Sequence, residues 1–419
     1  MTAKPGPSLA LGLAVTVVAG AAFVVLAAVL VPWQWVPGGH LPAVAPGEVF
    51  TPAQLARGDH VSGMLRHAAW GNIAISVLVA GLLGLTRFGS ALVGRIPGPW
   101  WVKTVVACFV VSLAGAVTSL PLSWRAQRVE LAEGLSHQAW SSWLSDHAIG
   151  LGVTWAFTSV ALVVVVGLAR LAPRTWPLWA GAAAVLLAMA GSFVYPVLVE
   201  PLFNHFTPMK AGSLRTDVFA LAAREHVHID DVLVADASRR TTTLNAYVSG
   251  FGSTRRVVVY DTLLTGLPQK ETEMIVAHEL GHAKHDDVLV GTVLGALGSA
   301  AGVGLLALVF TRRRLLDHAH VEGLGDPRAV PLVLALALVG SLLASPVQNS
   351  ISRAIEARAD RAALTATQDP ETFIAMQKQL ALRSLSDPTP PAWSQFWFGS
   401  HPTTLQRIGL AGAYEPGYR

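Results

Sequence analysis

Of the 419 residues in this chain, 52% are hydrophobic and only 13% are charged, with a net charge of +4. Soluble proteins carry about 25% charged residues, so a wholly water-exposed globule is excluded and a multi-pass membrane protein is implied. The basic residues are scattered between apolar runs, which argues for loop charges at a bilayer and against a nucleic-acid partner.

Crossing a bilayer takes about 20 helical residues. Seven runs qualify: Leu9–Val31, Ala69–Leu85, Val105–Pro121, Ile149–Leu168, Trp176–Val199, Val288–Phe310 and Val330–Val347. None contains Asp, Glu, Lys or Arg, which argues against a proton pump or ion-coupled transporter. Trp33, Trp35, Trp100, Trp101 and Trp176 sit at run ends, where an interfacial aromatic belt belongs. The first run is too long for a signal-peptide core and is read as a membrane helix. Ser136–Asp146, with Trp140 and Trp143, is read as a connecting loop, either lying in the interface or plain. The single cysteine, Cys108, allows neither an internal disulfide nor a thiolate metal site.

After Val199 the chain becomes polar enough for a folded aqueous module. Ser213–Glu225 has helical spacing. Val232–Ala235, Asn245–Ser249 and Arg256–Tyr260 are short β-branched or aromatic runs separated by turn residues, including Gly250-Phe-Gly252. A three-stranded sheet leading into a helix is expected. Beyond the seventh run, helices are expected around Ser352–Thr365 and Glu371–Leu382, then a Pro-rich break and a terminal segment from Trp393. The expected division is residues 1–199 as five membrane helices, 200–287 as the module, 288–350 as two further membrane helices, and 351–419 as a C-terminal helical part of the module.

Within Glu271–Asp287, His278, Glu279 and His282 form H-E-x-x-H. On a helix, positions i and i+4 share a face, so the two imidazoles can present to one metal ion. Glu279 lies about 100° further round, placed to reach an activated water without being a ligand. That is what a zinc hydrolase needs, and a third protein ligand has to come from elsewhere. Ser352–Asp360 offers Glu356 as the ligand and Asp360, one turn on, as the group that fixes a histidine tautomer. The alternative is an exposed helix that Glu356, Arg358 and Arg361 merely solvate. His285 reads as a surface residue past the site, and Asp286 and Asp287 as markers of the membrane boundary.

At this point the residues resemble the membrane-embedded CAAX prenyl endopeptidases, zinc metallopeptidases of family M48. The resemblance rests on an ordered series of motifs. It comprises Glu200-Pro-Leu-Phe-Asn204 with Phe206-Thr-Pro208, Asn245-Ala-Tyr-Val-Ser-Gly250 with Arg256–Leu264, and His278-Glu-Leu-Gly-His282. Ser352-Arg353 with Glu356 and Asp360, and His401-Pro402 with Arg407-Ile408, complete it. It implies a mainly α, multi-pass fold of about seven membrane helices carrying a small α+β gluzincin-type peptidase module. It further implies one Zn²⁺ per chain held by His278, His282 and Glu356, with Asp360 behind them and His401 and Arg407 near the reacting carbonyl. The chain departs from the pattern at Ala283, where prenyl-processing members often carry Trp, and at Thr403, which replaces a second Pro.

The implied reaction is hydrolysis of peptide bonds in membrane-associated or prenylated-type peptides, or in membrane-protein substrates, with Glu279 as general base. His401 or Arg407 would stabilise the oxyanion; the alternative is that His401 is a turn residue before Pro402 and Arg407 a structural ion-pair partner, with Asp360 as the candidate acid. Asn245, Ala246, Tyr247 and Val248 would form an edge strand that holds the peptide extended. Two other readings compete: an intramembrane site-2-type metalloprotease, and a non-catalytic transporter or scaffold with a structural zinc. The family reading puts the module on the cytoplasmic side of a bacterial-type plasma membrane. The short basic loops Arg87–Lys103, Arg170–Arg174 and Arg312–Arg314 fall on the opposite face and argue the other way.

Overall fold

The computed structural model describes residues 6–36, 39–250 and 255–414. Five long helices come first: α1 (Leu9–Leu30), α2 (Pro52–Leu85), α3 (Trp100–Ala132), α4 (Trp140–Leu171) and α5 (Trp176–Val194). After a π-helical turn at Tyr195–Val199 the chain enters the polar region, with β1 (Phe206–Pro208), α6 (Ser213–Arg224), β2 (Asp231–Ala235), β3 (Ala246–Ser249), β4 (Arg256–Tyr260) and α7 (Gln269–Lys284). Then follow α8 (Asp287–Val309), α9 (Val330–Thr367), α10 (Pro370–Ser384), a short helix at Ala392–Phe398, and α11 (Thr404–Gly412). Seven helices among the described residues are long and apolar enough to cross a membrane, and α7 is not one of them.

Several of these helices outrun the apolar stretches that announce them. At 1.5 Å per residue, the 34 residues of α2 reach about 50 Å, against a hydrocarbon core of about 30 Å. The surplus of α2, α3, α4 and α9 lies on one face, with the polar module. There α2 docks onto the segment after α10, through Ser62 Oγ to the Leu385 carbonyl at 2.8 Å and Arg66 Nη1 to Asp387 Oδ2 at 2.9 Å. On another flank, the α3–α4 connection holds the module through the Thr242 amide to the Leu135 carbonyl at 3.1 Å and Ser136 Oγ to the Arg240 carbonyl at 2.5 Å.

Three expectations change. The segment read as a loop at Ser136–Asp146 is helical from Trp140, with Trp143 buried and Trp140 exposed. The sheet has four strands in the order β1-β2-β4-β3, because Phe206–Pro208, too short to read as a strand alone, pairs antiparallel with β2. The polar segment around Ser352 is not a separate helix but the last part of α9, a single 38-residue helix that continues the seventh apolar run. Pro346 lies inside α9; proline costs a helix one hydrogen bond, yet the helix continues past it to Thr367. Of the turn expected at Gly250-Phe-Gly252, the part beyond Gly250 lies outside the described residues.

β2 and β4 run parallel, and β3 pairs antiparallel with β4 in the register Ala246↔Val259 and Val248↔Val257, so β3 forms one edge of the sheet. One sheet face, with Val232, Val257 and Val259, packs on Val218 and Leu221 of α6 and on Met274, Val276 and Leu280 of α7. Leu364 of α9 and Phe373 and Met376 of α10 complete this core. A fully buried side chain of this kind contributes roughly 1.5–3 kcal/mol, so apolar packing is ample to hold α7 against α9. At their crossing a Cβ on Gly281 would stand 2.9 Å from Ala362 Cβ and 3.3 Å from the Ala359 backbone, so only glycine allows this approach.

Candidate active site

α7 starts after Pro268 and carries His278 and His282 one turn apart on the side facing α9. α9 supplies Glu356, nine residues beyond Val347, the end of the seventh apolar run. The three side chains converge: His278 Nε2 lies 3.2 Å from His282 Nε2 and 3.2 Å from Glu356 Oε2, and His282 Nε2 lies 3.6 Å from Glu356 Oε1. A tetrahedral metal with bonds of about 2.0–2.1 Å sets its ligand atoms about 3.3 Å apart, so these spacings match the edges of such a site. Glu356 Oε2 is buried and has no hydrogen-bond partner among the described residues, which is how a carboxylate oxygen intended for a cation looks.

The electrostatics agree. Burial alone would lower the pKa of His278, but Asp360 and Glu356 more than offset it and push it up to about 10. The acids around the imidazoles therefore favour positive charge at the centre of the cluster. Behind the imidazoles stand two aspartates. Asp360 Oδ1 lies 2.9 Å from His278 Nδ1, and Asp287 Oδ2 lies 2.9 Å from His282 Nδ1. The Asp287 contact is a hydrogen bond that orients the His282 ring with Nε2 toward the site, and Asp360 stands at ion-pair distance behind His278.

Glu279 follows His278 on α7 and lies half-buried beside both histidines. Burial pushes its carboxyl above the ordinary range, with His278 and His282 partly offsetting the rise. From the C-terminal segment, His401 brings Nε2 to within 3.3 Å of Glu356 Oε2. Its loop is pinned by Arg353 Nη1, which donates to the Gly399 carbonyl at 2.6 Å. Arg407 engages Asp360, with Nε donating to Oδ2 at 2.8 Å and Nη2 donating to Oδ1. The ion pair set against a role at the carbonyl in the sequence reading is thus present, and it occupies two of the guanidinium donors. Thr403, where a second Pro is common, caps α11 by accepting from the Gln406 amide.

Asn245 lies immediately before β3, and Ala246, Tyr247 and Val248 lie within it, on the sheet edge alongside α7. The sequence reading missed Asp287, taken for a boundary marker, and Arg358, taken for a solvating charge. Arg358 donates to Asp287 Oδ1. The available signal was an acid five residues past the second histidine, at the first turn of an apolar helix.

The sequence matches two family models, CAAX prenyl protease N-terminal, five membrane helices, over residues 61–205, and Peptidase family M48 over residues 208–413. An uncharacterized metalloprotease, YhfN, of Bacillus subtilis (strain 168) is 32% identical over 310 residues, covering 74% of this chain and 73% of that one. The chain belongs to peptidase family M48. It is a multi-pass membrane metalloendopeptidase. Among its M48 relatives, a CAAX prenyl protease 1 homolog of Oryza sativa subsp. japonica is 28% identical over 312 residues, covering 71% of this chain and 70% of the other. A crystal structure of Ste24p from S. mikatae shares the fold, with a TM-score of 0.78 at 18% identity, over 96% of this chain and 99% of that one. The intramembrane reading fails on the placement of H-E-x-x-H in α7, outside the membrane spans.

Proposed function

We propose that this M48 peptidase is a zinc-dependent endopeptidase that cuts membrane-associated peptides of the prenylated, CAAX-like type, with one Zn²⁺ per chain. The observation that carries this reading is the convergence of His278, His282 and Glu356 at metal-ligand spacings, next to a half-buried carboxylate, Glu279, that is not part of the set. When bound there, the metal supplies Lewis acidity toward the scissile carbonyl and a more acidic water. Glu279 takes the proton from the attacking water and passes it to the leaving amine. His401 donates to the oxygen that becomes negative, while Arg407, committed to Asp360, holds the His278 tautomer and adds positive potential. Residues 245–248 hold the peptide by main-chain pairing along the free edge of β3, which presents it extended beside α7.

The name of the Oryza relative, CAAX prenyl protease 1 homolog, supports the prenylated class, and the membrane-anchored site suits a substrate already held at a bilayer. The proposed division is the one drawn from the sequence, with residues 200–287 and 351–419 forming the peptidase module. We place that module on the cytoplasmic face of a plasma membrane, since a long polar domain is weakly governed by loop charge. Fluorescence of a C-terminal reporter that folds only in cytoplasm checks the side.

The deciding experiment measures metal content of the purified chain and its cleavage of a farnesylated CAAX peptide and the unmodified peptide. One equivalent of zinc, loss of turnover on chelation, recovery with Zn²⁺ and preference for the farnesylated peptide are expected. Turnover that survives complete chelation would remove the zinc mechanism, and equal turnover of both peptides would remove the prenyl preference.

A further inference from the structure

The two histidines are backed by matching chains of groups that lead to different places. From His278 the chain runs through Asp360 to Arg407 and stays inside the module. From His282 it runs through Asp287 to Arg358 and leaves for the membrane. Asp287 is the first residue of α8, and it points back at α7 because Asp286 adopts a left-handed conformation, φ 51°. Aspartate tolerates that region better than most residues, and an ion pair with Arg255 holds Asp286 there. Asp287 is 7% exposed, so its carboxylate depends on its two partners. Arg358 also reaches the Leu30 carbonyl at 3.5 Å, the C-terminal end of α1, where helix carbonyls lack intrahelical donors. Arg358 sits two residues from Glu356 on the same helix, so α9 delivers both a metal donor and the anchor of the opposite histidine's support.

We infer that Asp287 and Arg358 are positioning residues that set how tightly His282 holds the metal, tying one side of the metal centre to the ends of α1 and α8. The inference rests on the metal reading above and goes beyond it by assigning two residues outside the ligand set. Replacing the Asp287 carboxylate by an amide weakens the hydrogen bond that orients the His282 ring, whereas the ligand atoms themselves are untouched. Losing a group of this kind typically costs about 10–100-fold in metal affinity.

The test is zinc affinity by chelator competition on the full-length, detergent-solubilised chain, for wild type, Asp287→Asn and Arg358→Gln. Asp287→Asn is expected to weaken Zn²⁺ binding by about 10–100-fold and Arg358→Gln by a smaller factor in the same direction. The ligand-field absorption of the Co²⁺-loaded protein should change in both, while the melting temperature of the metal-free protein stays near that of wild type. Wild-type affinity and an unaltered Co²⁺ spectrum in Asp287→Asn would overturn the inference. If that variant does not accumulate folded, an unchanged affinity in Arg358→Gln would overturn it instead. Failure of the wild type to bind zinc would count against the metal reading and is seen before any variant is compared.

Discussion

Two helix crossings in this molecule are both made close by a glycine, and they serve different ends. In the bundle, α1 meets α8 at Gly304, where a Cβ would lie 2.6 Å from the Thr16 amide nitrogen and 2.9 Å from the Gly12 carbonyl. In the module, α7 meets α9 at Gly281 somewhat less tightly, with Ala362 Cβ 2.9 Å and the Ala359 backbone 3.3 Å from such a Cβ. Small residues let helices approach in a bilayer, where dispersion rather than water exclusion drives association, and the first crossing does no more than that. At the second, the same closeness sets the spacing between imidazoles on one helix and a carboxylate on the other. A packing constraint has become a chemical one, and the difference is where the charged groups are. The bundle crossing has none, whereas the module crossing has a buried acid, Asp360, on α9 beside the histidines of α7.

The sharpest separation of the two regions comes from Glu279→Gln. It should lower kcat by about 10²–10⁴-fold with zinc content and melting temperature close to wild type, because the substitution keeps the side chain's size and removes the proposed base. Single-turnover cleavage with metal analysis checks this; full turnover in a metal-loaded variant would deny the residue its role.

The glycine pair tests the comparison itself. Gly281→Ala should cost about 1–3 kcal/mol through overpacking. By shifting α7 against α9 by a fraction of an ångström to an ångström, it should also lower kcat/KM by up to about 10²-fold. Gly304→Ala should cost a similar 1–3 kcal/mol or so in stability and leave kcat unchanged in the protein that remains folded. Equal losses of kcat in both variants would mean that the crossings are not functionally distinct.

The smallest effect is on the pH profile. A general base works only when deprotonated, so kcat/KM falls as pH drops through the pKa of Glu279. Burial raises that pKa, which moves the acid limb to higher pH than an ordinary glutamate, near 4.3, would give. In Glu279→Gln this limb should vanish from the residual rate, as a pH–rate series would show.

Much of the architecture could be read from composition alone. A 20-residue run without charge has few options besides crossing a bilayer, whatever its neighbours do, so the membrane helices were legible one at a time. H-E-x-x-H was legible for a related reason: its geometry is local to one helix and needs only the 3.6-residue repeat. The ends of elements were not. The aqueous extensions of α2 and α3 are polar helices that exist because the module lies beside them, and β1 is a strand only because β2 offers it a partner.

Residue order along the chain therefore determined the membrane class, the crossings, the two histidines and their base, since each follows from spacing within one segment. Tertiary structure decided what no single segment contains. It decided that α9 runs unbroken from the bilayer to Glu356, that Arg407 is taken up by Asp360, and that Asp287 turns back to His282. These depend on which backbones come close together, here through Gly281 at a crossing and Asp286 at a left-handed turn. Such closeness is a property of packing between segments, which leaves no periodic trace in either one.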